Sequence, residues 1–260
     1  MKAINGILFD KDGTLMSFDC FWRGVIRAAA ERTAQRVAEQ YPETDAAPLA
    51  EALTRIAGYE PSGACIPESL VVRGTNDEIA SAWINALSQR FPALPQNLYD
   101  TAYRALSDNR SAGEIRASVP DLPSLLARLA GMGLHLGAAT SDSGEQARYC
   151  FAEMGALPYF DFIMAGDGAY PPKPAPDGFF AAARQWRTAP NRILMVGDSE
   201  NDMRFARNAG APGVLLVPAG KPVPETSAAA VIRTLDALPA LIAGINRRCA
   251  LSLWEPQYSL

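Results

Sequence analysis

Histidine, paired cysteines, basic clusters and long apolar runs are scarce or missing in this 260-residue chain. Each scarcity removes a class of function. The one histidine, His135, sits in an apolar run at 134–136, where it reads as a structural residue rather than a ligand or base. The cysteines are Cys20, Cys65, Cys150 and Cys249, far apart and without a C-x-x-C pair. That spacing speaks against a thiolate zinc site or a disulfide framework and favours reduced, cytosolic thiols. Lys and Arg number 24 against 28 Asp and Glu, a net charge of -4. The basic residues are scattered, so no nucleic-acid footprint is present. No apolar run is long enough to span a membrane, and Asp10 arrives too early for the apolar part of a signal peptide. The expectation is a soluble cytoplasmic protein, monomer or homodimer, with neither a nucleic-acid nor a membrane partner.

What is present is 48% hydrophobic and 20% charged residues, ordinary globular material for one large domain or two small ones. Residues 4–9 form an apolar run that reads as a buried strand. The character then changes. Over 18–40 the apolar residues Phe18, Phe21, Trp22, Val25, Ile26, Ala29 and Val37 make a helical stripe. A shorter helix follows around Leu49, Leu53 and Ile56, stopped by Gly58. Residues 59–74 read as a loop. Thr75 and Glu78 form a capping box ahead of Ile79, Trp83 and Leu87, and Leu98, Ala102 and Ala105 suggest another helix.

From Pro120 the rhythm becomes helix–strand alternation. Helices are expected at 122–129, 145–154, 179–186, 201–209 and 237–245, and strands at 134–139, 160–165, 193–196 and 214–217. Alternation of this kind means right-handed βαβ units and a parallel sheet with helices on both faces. The fold class expected is therefore α/β, a Rossmann-like core of residues 1–16 and 112–260, with an all-helical cap inserted at 17–111. The tail at 247–260, with Trp254 and Tyr258, is expected to dock on the core.

Four segments carry chemistry. In the first, Asp10-Lys11-Asp12-Gly13-Thr14 ends the first strand. The chain is leaving the strand through Gly13, so the two carboxylates can converge on one metal or reacting group. A strand-ending turn explains the same residues. The second, Thr140-Ser141-Asp142, follows a strand and offers a hydroxyl and backbone N–H groups to a phosphate, or a plain N-cap. In the third, Lys173 lies among Pro172, Pro174 and Pro176; stiff flanks can hold its charge against phosphate oxygens, though a solvent-facing linker has the same composition. The fourth is Gly197-Asp198-Ser199-Glu200-Asn201-Asp202. Asp198 leaves a strand tip and Asp202 lies one helical turn on. Carboxylates at two strand tips suit Mg²⁺, and no histidine or thiolate set competes for zinc.

In order and spacing these segments resemble the four motifs of the haloacid dehalogenase-like hydrolase superfamily, most closely its phosphoglycolate phosphatase-like members. Lys173-Pro174-Ala175-Pro176-Asp177 and Ala206-Arg207-Asn208-Ala209-Gly210 extend the match. The helical block falls where this family carries a C1-type cap. Ser141 departs from the pattern, since many phosphoglycolate phosphatase-like members place Asn directly after the second-motif Thr.

The resemblance implies a Mg²⁺-dependent phosphatase acting on a small phosphorylated metabolite through an aspartyl-phosphate. Asp10 would be the nucleophile and Asp12 the proton donor and then acceptor. Asp10 and Asp198 would hold the metal through their carboxylates and Asp12 through its backbone carbonyl. Asp202 would ligate through water or orient its neighbours. Thr140, Ser141 and Lys173 would bind the phosphoryl oxygens, with Gly13, Thr14 and Asn201 in support. A phosphomutase of the β-phosphoglucomutase type shares these motifs, and a silent binding module could keep the fold. Asp12 speaks against dehalogenase chemistry, which needs no proton donor, and against phosphonatases, which carry Ala there. Phe21 and Trp22 read as cap core, and Arg23 and Arg73 are candidate readers of a substrate carboxylate.

Overall fold

A computed structural model describes residues 3–66, 69–107 and 113–252. The chain divides into two compact units, residues 1–17 with 115–260 and residues 18–114.

The larger unit is built on a six-stranded, wholly parallel sheet. Its strands are β1 (Gly6–Phe9), β2 (His135–Ala139), β3 (Phe162–Met164), β4 (Ile193–Gly197), β5 (Gly213–Leu216) and β6 (Ala230–Ile232). All four residues of β1 are buried, as a central strand covered on both faces requires. The order β3-β2-β1-β4-β5-β6 is that of the Rossmann fold, in which the direction of winding reverses beside the first strand. Leu8 and Phe9 point to opposite faces. Leu8 belongs to a core with Phe162, Met195, Phe179 and Phe205, which seats α8 (Asp177–Gln185) and α9 (Glu200–Asn208) on one side. Phe9 faces Phe160, which meets Phe151 of α7 (Gly144–Glu153) edge-on at 5.0 Å on the other. The unit also contains α6 (Leu122–Gly131) and α10 (Leu238–Ser252).

The alternation from Pro120 onward is found as expected, with ends shifted by one or two residues, except that the last helix runs on to Ser252 rather than stopping at 245. One strand was not expected. β6 is a three-residue edge strand with Val231 exposed, preceded by polar residues, and three residues are too few to display a period. The chain leaves and re-enters this unit side by side: Ser17 N donates to Arg116 O (2.8 Å) and Ser118 N to Leu15 O (2.9 Å).

The smaller unit holds α1 (Phe18–Gln40), α2 (Ala46–Ala57), α3 (Leu70–Arg73), α4 (Asn76–Arg90) and α5 (Leu98–Ser107). Its own core gathers Ile26, Val37, Leu49, Leu53, Trp83, Leu98 and Ala102. Trp83 is fully buried and its indole N–H donates to Leu53 O at 2.7 Å, so the polar end of the ring is satisfied. The capping box at Thr75 and Glu78 forms in both directions. Phe21 is buried and Trp22 half-buried, packed edge to face. Helix α3 interrupts the stretch read as a loop; at one turn it leaves no periodic trace in the sequence. No described helix is long and apolar enough to cross a membrane. Of the tail expected at 247–260 to dock on the core, residues 247–252 continue α10, and the rest, with Trp254 and Tyr258, lies outside the described residues.

Candidate active site

The four segments meet at the C-terminal edge of the sheet, where β1 and β4 adjoin. In sheets of this order that edge is the ligand position. Asp10 N donates to Val196 O at 2.9 Å, so the residue after β1 is still in register with β4. Its carboxylate is 8% exposed as a residue. Beyond it the chain turns tightly: Lys11 O accepts from Leu15 N (3.0 Å) and Met16 N (2.9 Å), and Gly13 N donates to Met16 O (2.8 Å). Gly13 has φ +81°, and a Cβ there would lie 1.9 Å from Asp198 Oδ2. Only glycine allows both the conformation and the approach of that carboxylate. Gly197 is needed for a similar reason, since its Cβ would lie 2.4 Å from Asp202.

Lys173 is the centre of the first cluster. Its Nζ lies 2.6 Å from Asp10 Oδ1 and 2.7 Å from Asp202 Oδ1, with the side chain 5% exposed. Asp202 is 1% exposed and is fixed through its other oxygen, which accepts from Ser199 Oγ (2.5 Å) and Ser199 N (3.3 Å) at the start of α9. The loop that delivers Lys173 makes a turn rather than running extended. The Lys173–Pro174 bond is cis and Ala175 N donates to Pro172 O at 3.0 Å. Asn201 and Asn208 of α9 hold this loop through the carbonyls of Lys173 (3.4 Å) and Pro174 (2.9 Å).

The second segment lies beside it. Thr140 is 3% exposed; its N–H donates to Met164 O (3.0 Å) and its Oγ1 accepts from Asp142 N (3.1 Å). That leaves the hydroxyl hydrogen available to donate. Ser141 is exposed. Neither residue caps the following helix: α7 starts at Gly144 and its N-cap is Ser143, which accepts from Gln146 N. Thr140 and Ser141 therefore sit in the turn before the helix rather than at its N-terminus. Thr14 is buried, and its Oγ1 has no hydrogen-bond partner.

Asp12 takes a different partner. Its Oδ1 lies 2.8 Å from Lys11 Nζ, which also lies 3.0 Å from Asp142 Oδ2. Lys11 is fully buried. Motif comparison passed over both Lys11 and Asp142, and the signal that could have found them is a lysine placed between two motif carboxylates.

The electrostatics follow from five aspartates gathered with two lysines. Burial pushes the Asp10 carboxyl well above its ordinary range; Lys173 opposes the shift, and Asp202 and Asp198 add to it. Asp198 is open to solvent on one side, yet enclosure by protein and then the charge of Asp202 push it up to about 7. Burial alone would lower Lys173 and Lys11, but the aspartates beside each outweigh it and hold both ammonium groups charged. Burial and then Asp12 raise Asp142, with Lys11 opposing.

This donor set fits a hard divalent cation. Asp10, Asp198 and Asp202 each offer a carboxylate oxygen within 4.8 Å of the others. Burial, with the neighbouring carboxylates adding to it, raises the proton affinity of Asp10 and Asp198, and a counter-ion at this place would relieve that charge. The Asp12 carboxylate is not among them, being engaged by Lys11.

Two residues considered from sequence fall elsewhere. His135 opens β2 at the far end of that strand, stacked on Trp186 at 5.5 Å and paired with Asp161 at 2.9 Å. Arg23 is exposed in the helical unit, where it lines a cleft of about 530 Å³ with Arg27, Glu31, Thr54 and Tyr59. The side chain of Arg73 lies outside what the structure describes.

A sequence profile described as haloacid dehalogenase-like hydrolase matches residues 4–210, and the chain belongs to that family. It is 35% identical over 108 residues to a phosphoglycolate phosphatase of Thiobacillus denitrificans, covering 40% of this chain and 47% of the relative. The chain thus spans less than half the length of that relative. A match to the phosphoglycolate phosphatase of Pectobacterium atrosepticum runs longer, 26% identical over 214 residues, 82% of this chain and 80% of that one. Among solved structures, a predicted phosphoglycolate phosphatase from Haemophilus somnus superposes with a TM-score of 0.63 at 18% identity, covering 93% of this chain and 99% of that one.

Proposed function

We propose that the chain is a Mg²⁺-dependent phosphatase of small phosphorylated metabolites, with phosphoglycolate-like monoesters as the substrate class. The observation that carries this reading is Asp10. It is a buried carboxylate at the crevice between β1 and β4, fixed by an ammonium group at 2.6 Å and facing Asp198 and Asp202. The names of the relatives point the same way.

Asp10 attacks phosphorus, forming a P–O bond to its carboxylate as the bond to the leaving oxygen breaks. Asp12 gives its proton to that oxygen, and the alcohol departs. Water then attacks the aspartyl-phosphate and passes a proton to Asp12; the P–O bond to Asp10 breaks, and inorganic phosphate and both carboxyl groups are restored. Lys173 fixes the plane of the nucleophile and, with the Thr140 hydroxyl, Ser141 and nearby backbone N–H groups, receives phosphoryl oxygens. Asp10, Asp198, Asp202 and the Asp12 carbonyl would hold Mg²⁺, which offsets repulsion between these carboxylates and a dianionic substrate. Gly13 and Thr14 shape the turn, and Asn201 braces the Lys173 loop. Residues 18–114 would be the cap of C1 type and the remainder of the chain the catalytic core.

Phosphate release from a panel of small phosphoesters, with and without Mg²⁺, tests this for wild type and Asp10→Asn. The expected result is release that needs the metal and is abolished by the substitution. Release that survives Asp10→Asn sinks the mechanism. Silence of the wild type on every ester, with interconversion of sugar phosphates instead, identifies a phosphomutase.

A further inference from the structure

Burying an ammonium group is expensive unless it is paired, and a well-packed apolar residue usually serves stability at least as well as a buried ion cluster. Position 11 follows a fully apolar strand and is itself wholly buried. A leucine or methionine would be the economical occupant. The chain instead places a lysine there and gives it carboxylates on two sides: Asp12 at 2.8 Å and Asp142 at 3.0 Å. Stability does not account for this arrangement, and position in the site does.

Asp142 is anchored before it meets the lysine. Its N–H donates to Thr140 Oγ1 at 3.1 Å and its carbonyl accepts from Gly166 N at 2.7 Å, so its backbone is fixed on both sides. The Lys11 backbone is fixed as well, its carbonyl accepting from Leu15 and Met16. Nζ is therefore drawn between a fixed carboxylate behind and the Asp12 carboxylate in front. Asp12 is the most exposed member: its side chain is 21% exposed, against 15% for Asp142 and 0% for Lys11. An aspartate on a turn samples several rotamers, and ordering it lowers the barrier only if something already on the protein does the ordering. A second anchor also matters when substrate arrives. A lysine with one partner would be drawn towards the incoming phosphate and would release Asp12.

We propose that Lys11, anchored by Asp142, is a positioning residue for Asp12: it grips Oδ1 and leaves the other carboxyl oxygen to carry out the proton transfers. The inference rests on the phosphatase reading above, and it ties Asp142 of the second motif to the middle residue of the first.

The leaving group provides the test. An alkyl phosphate needs its leaving oxygen protonated, whereas 2,4-dinitrophenolate departs without help. Release of each leaving group is followed in single turnovers at enzyme excess, which isolates the first phosphoryl transfer. Asp12→Asn calibrates the signature: a large loss on the alkyl ester and a small one on the dinitrophenyl ester. Lys11→Met is expected to show the same signature in weaker form. The loss should be about 10- to 100-fold on the alkyl ester, within the range a positioned general acid contributes, with the dinitrophenyl ester within about threefold. KM for both should stay within about threefold, since the phosphate contacts are untouched. Asp142→Asn should show the same selectivity at about five- to tenfold. Should Lys11→Met fail to fold, Asp142→Asn, nearly the same in shape, decides alone.

Equal losses on both esters, a rise in KM, or wild-type behaviour of Asp142→Asn overturns the positioning role. A wild type silent on both esters, or an Asp12→Asn without selectivity, overturns the phosphatase reading itself and this inference with it. Neither of those results depends on Lys11, so the two failures are distinguishable.

Discussion

Lys173 and Lys11 are both buried, and each bridges two aspartates at the C-terminal edge of the same sheet. They arrive by different routes. Lys173 comes on a loop far along the chain and ties the end of β1 to α9, joining Asp10 to Asp202. Lys11 belongs to the first motif and ties its own neighbour to the turn after β2. Local chemistry is nearly the same in the two clusters, with N–O distances between 2.6 and 3.0 Å. What separates them is the other duty of the carboxylates. Asp10 and Asp202 lie with Asp198 in the cluster that can hold a cation, so Lys173 competes and cooperates with whatever charge arrives there. The carboxylates of Asp12 and Asp142 are outside that cluster, and they share Lys11 between them. The same ion triad can thus serve the reacting charge in one place and geometry in the other.

The largest effect should come from Lys173→Met. With no ammonium at Asp10, both alkyl and dinitrophenyl phosphates should lose turnover by about a thousandfold or more, where Lys11→Met discriminates between them. Loss confined to the alkyl ester would erase the distinction between the lysines. Gly13→Ala comes next. A methyl group 1.9 Å from Asp198 Oδ2 must displace that carboxylate, so weaker Mg²⁺ binding by calorimetry is expected, together with about 100-fold lower activity. Mg²⁺ affinity equal to wild type would show that Asp198 does not belong to the cation side.

A smaller effect concerns pH. Asp198 titrates at about 7 in the folded chain, against about 3.9 when unfolded. As pH rises between these values the unfolded state gives up its proton first, so stability is lost across that window and stays lower above it. Without metal, Asp198→Asn should raise the melting temperature above wild type at pH 8, and the gap should close near pH 4. A gap that widened on acidification would contradict the sign. Arg23→Ala, outside both clusters, should have the least effect, raising KM for a carboxylate-bearing substrate and leaving an uncharged phosphoester unaffected. Equal change on both substrates would remove Arg23 as a reader of carboxylate.

The parts of this site visible in the sequence are those where chemistry and strand ends coincide. Asp10 and Asp198 each follow an apolar run that could only be a central strand, and Gly13 and Gly197 mark close approaches. Lys11 and Asp142 were visible as letters but not as a pair, because 131 positions separate them and their meeting depends on the pairing of β1 with β2. The turn of the Lys173 loop was hidden for a related reason: three prolines constrain φ but do not say which way the chain bends. Thr140 and Ser141 looked like a helix start because the real cap, Ser143, has the same chemistry. In the fold, α3 and β6 were missed because each is too short for its period to repeat.

The strap at residues 15–18 and 116–118 has a consequence for how this chain can be altered. Because Ser17 and Arg116 are hydrogen-bonded neighbours, the two ends of the segment between them are already held side by side on the sheet-bearing unit. Closing a loop across that point costs little more for a long segment than for a short one, since the entropy grows only as the logarithm of length. Residues 18–114 can therefore be read as a cassette. A tight turn joining position 17 to position 116 would leave the sheet, both lysine clusters and their ladder intact. Helical inserts of other lengths could be exchanged at the same junction, making it a natural place to graft new selectivity.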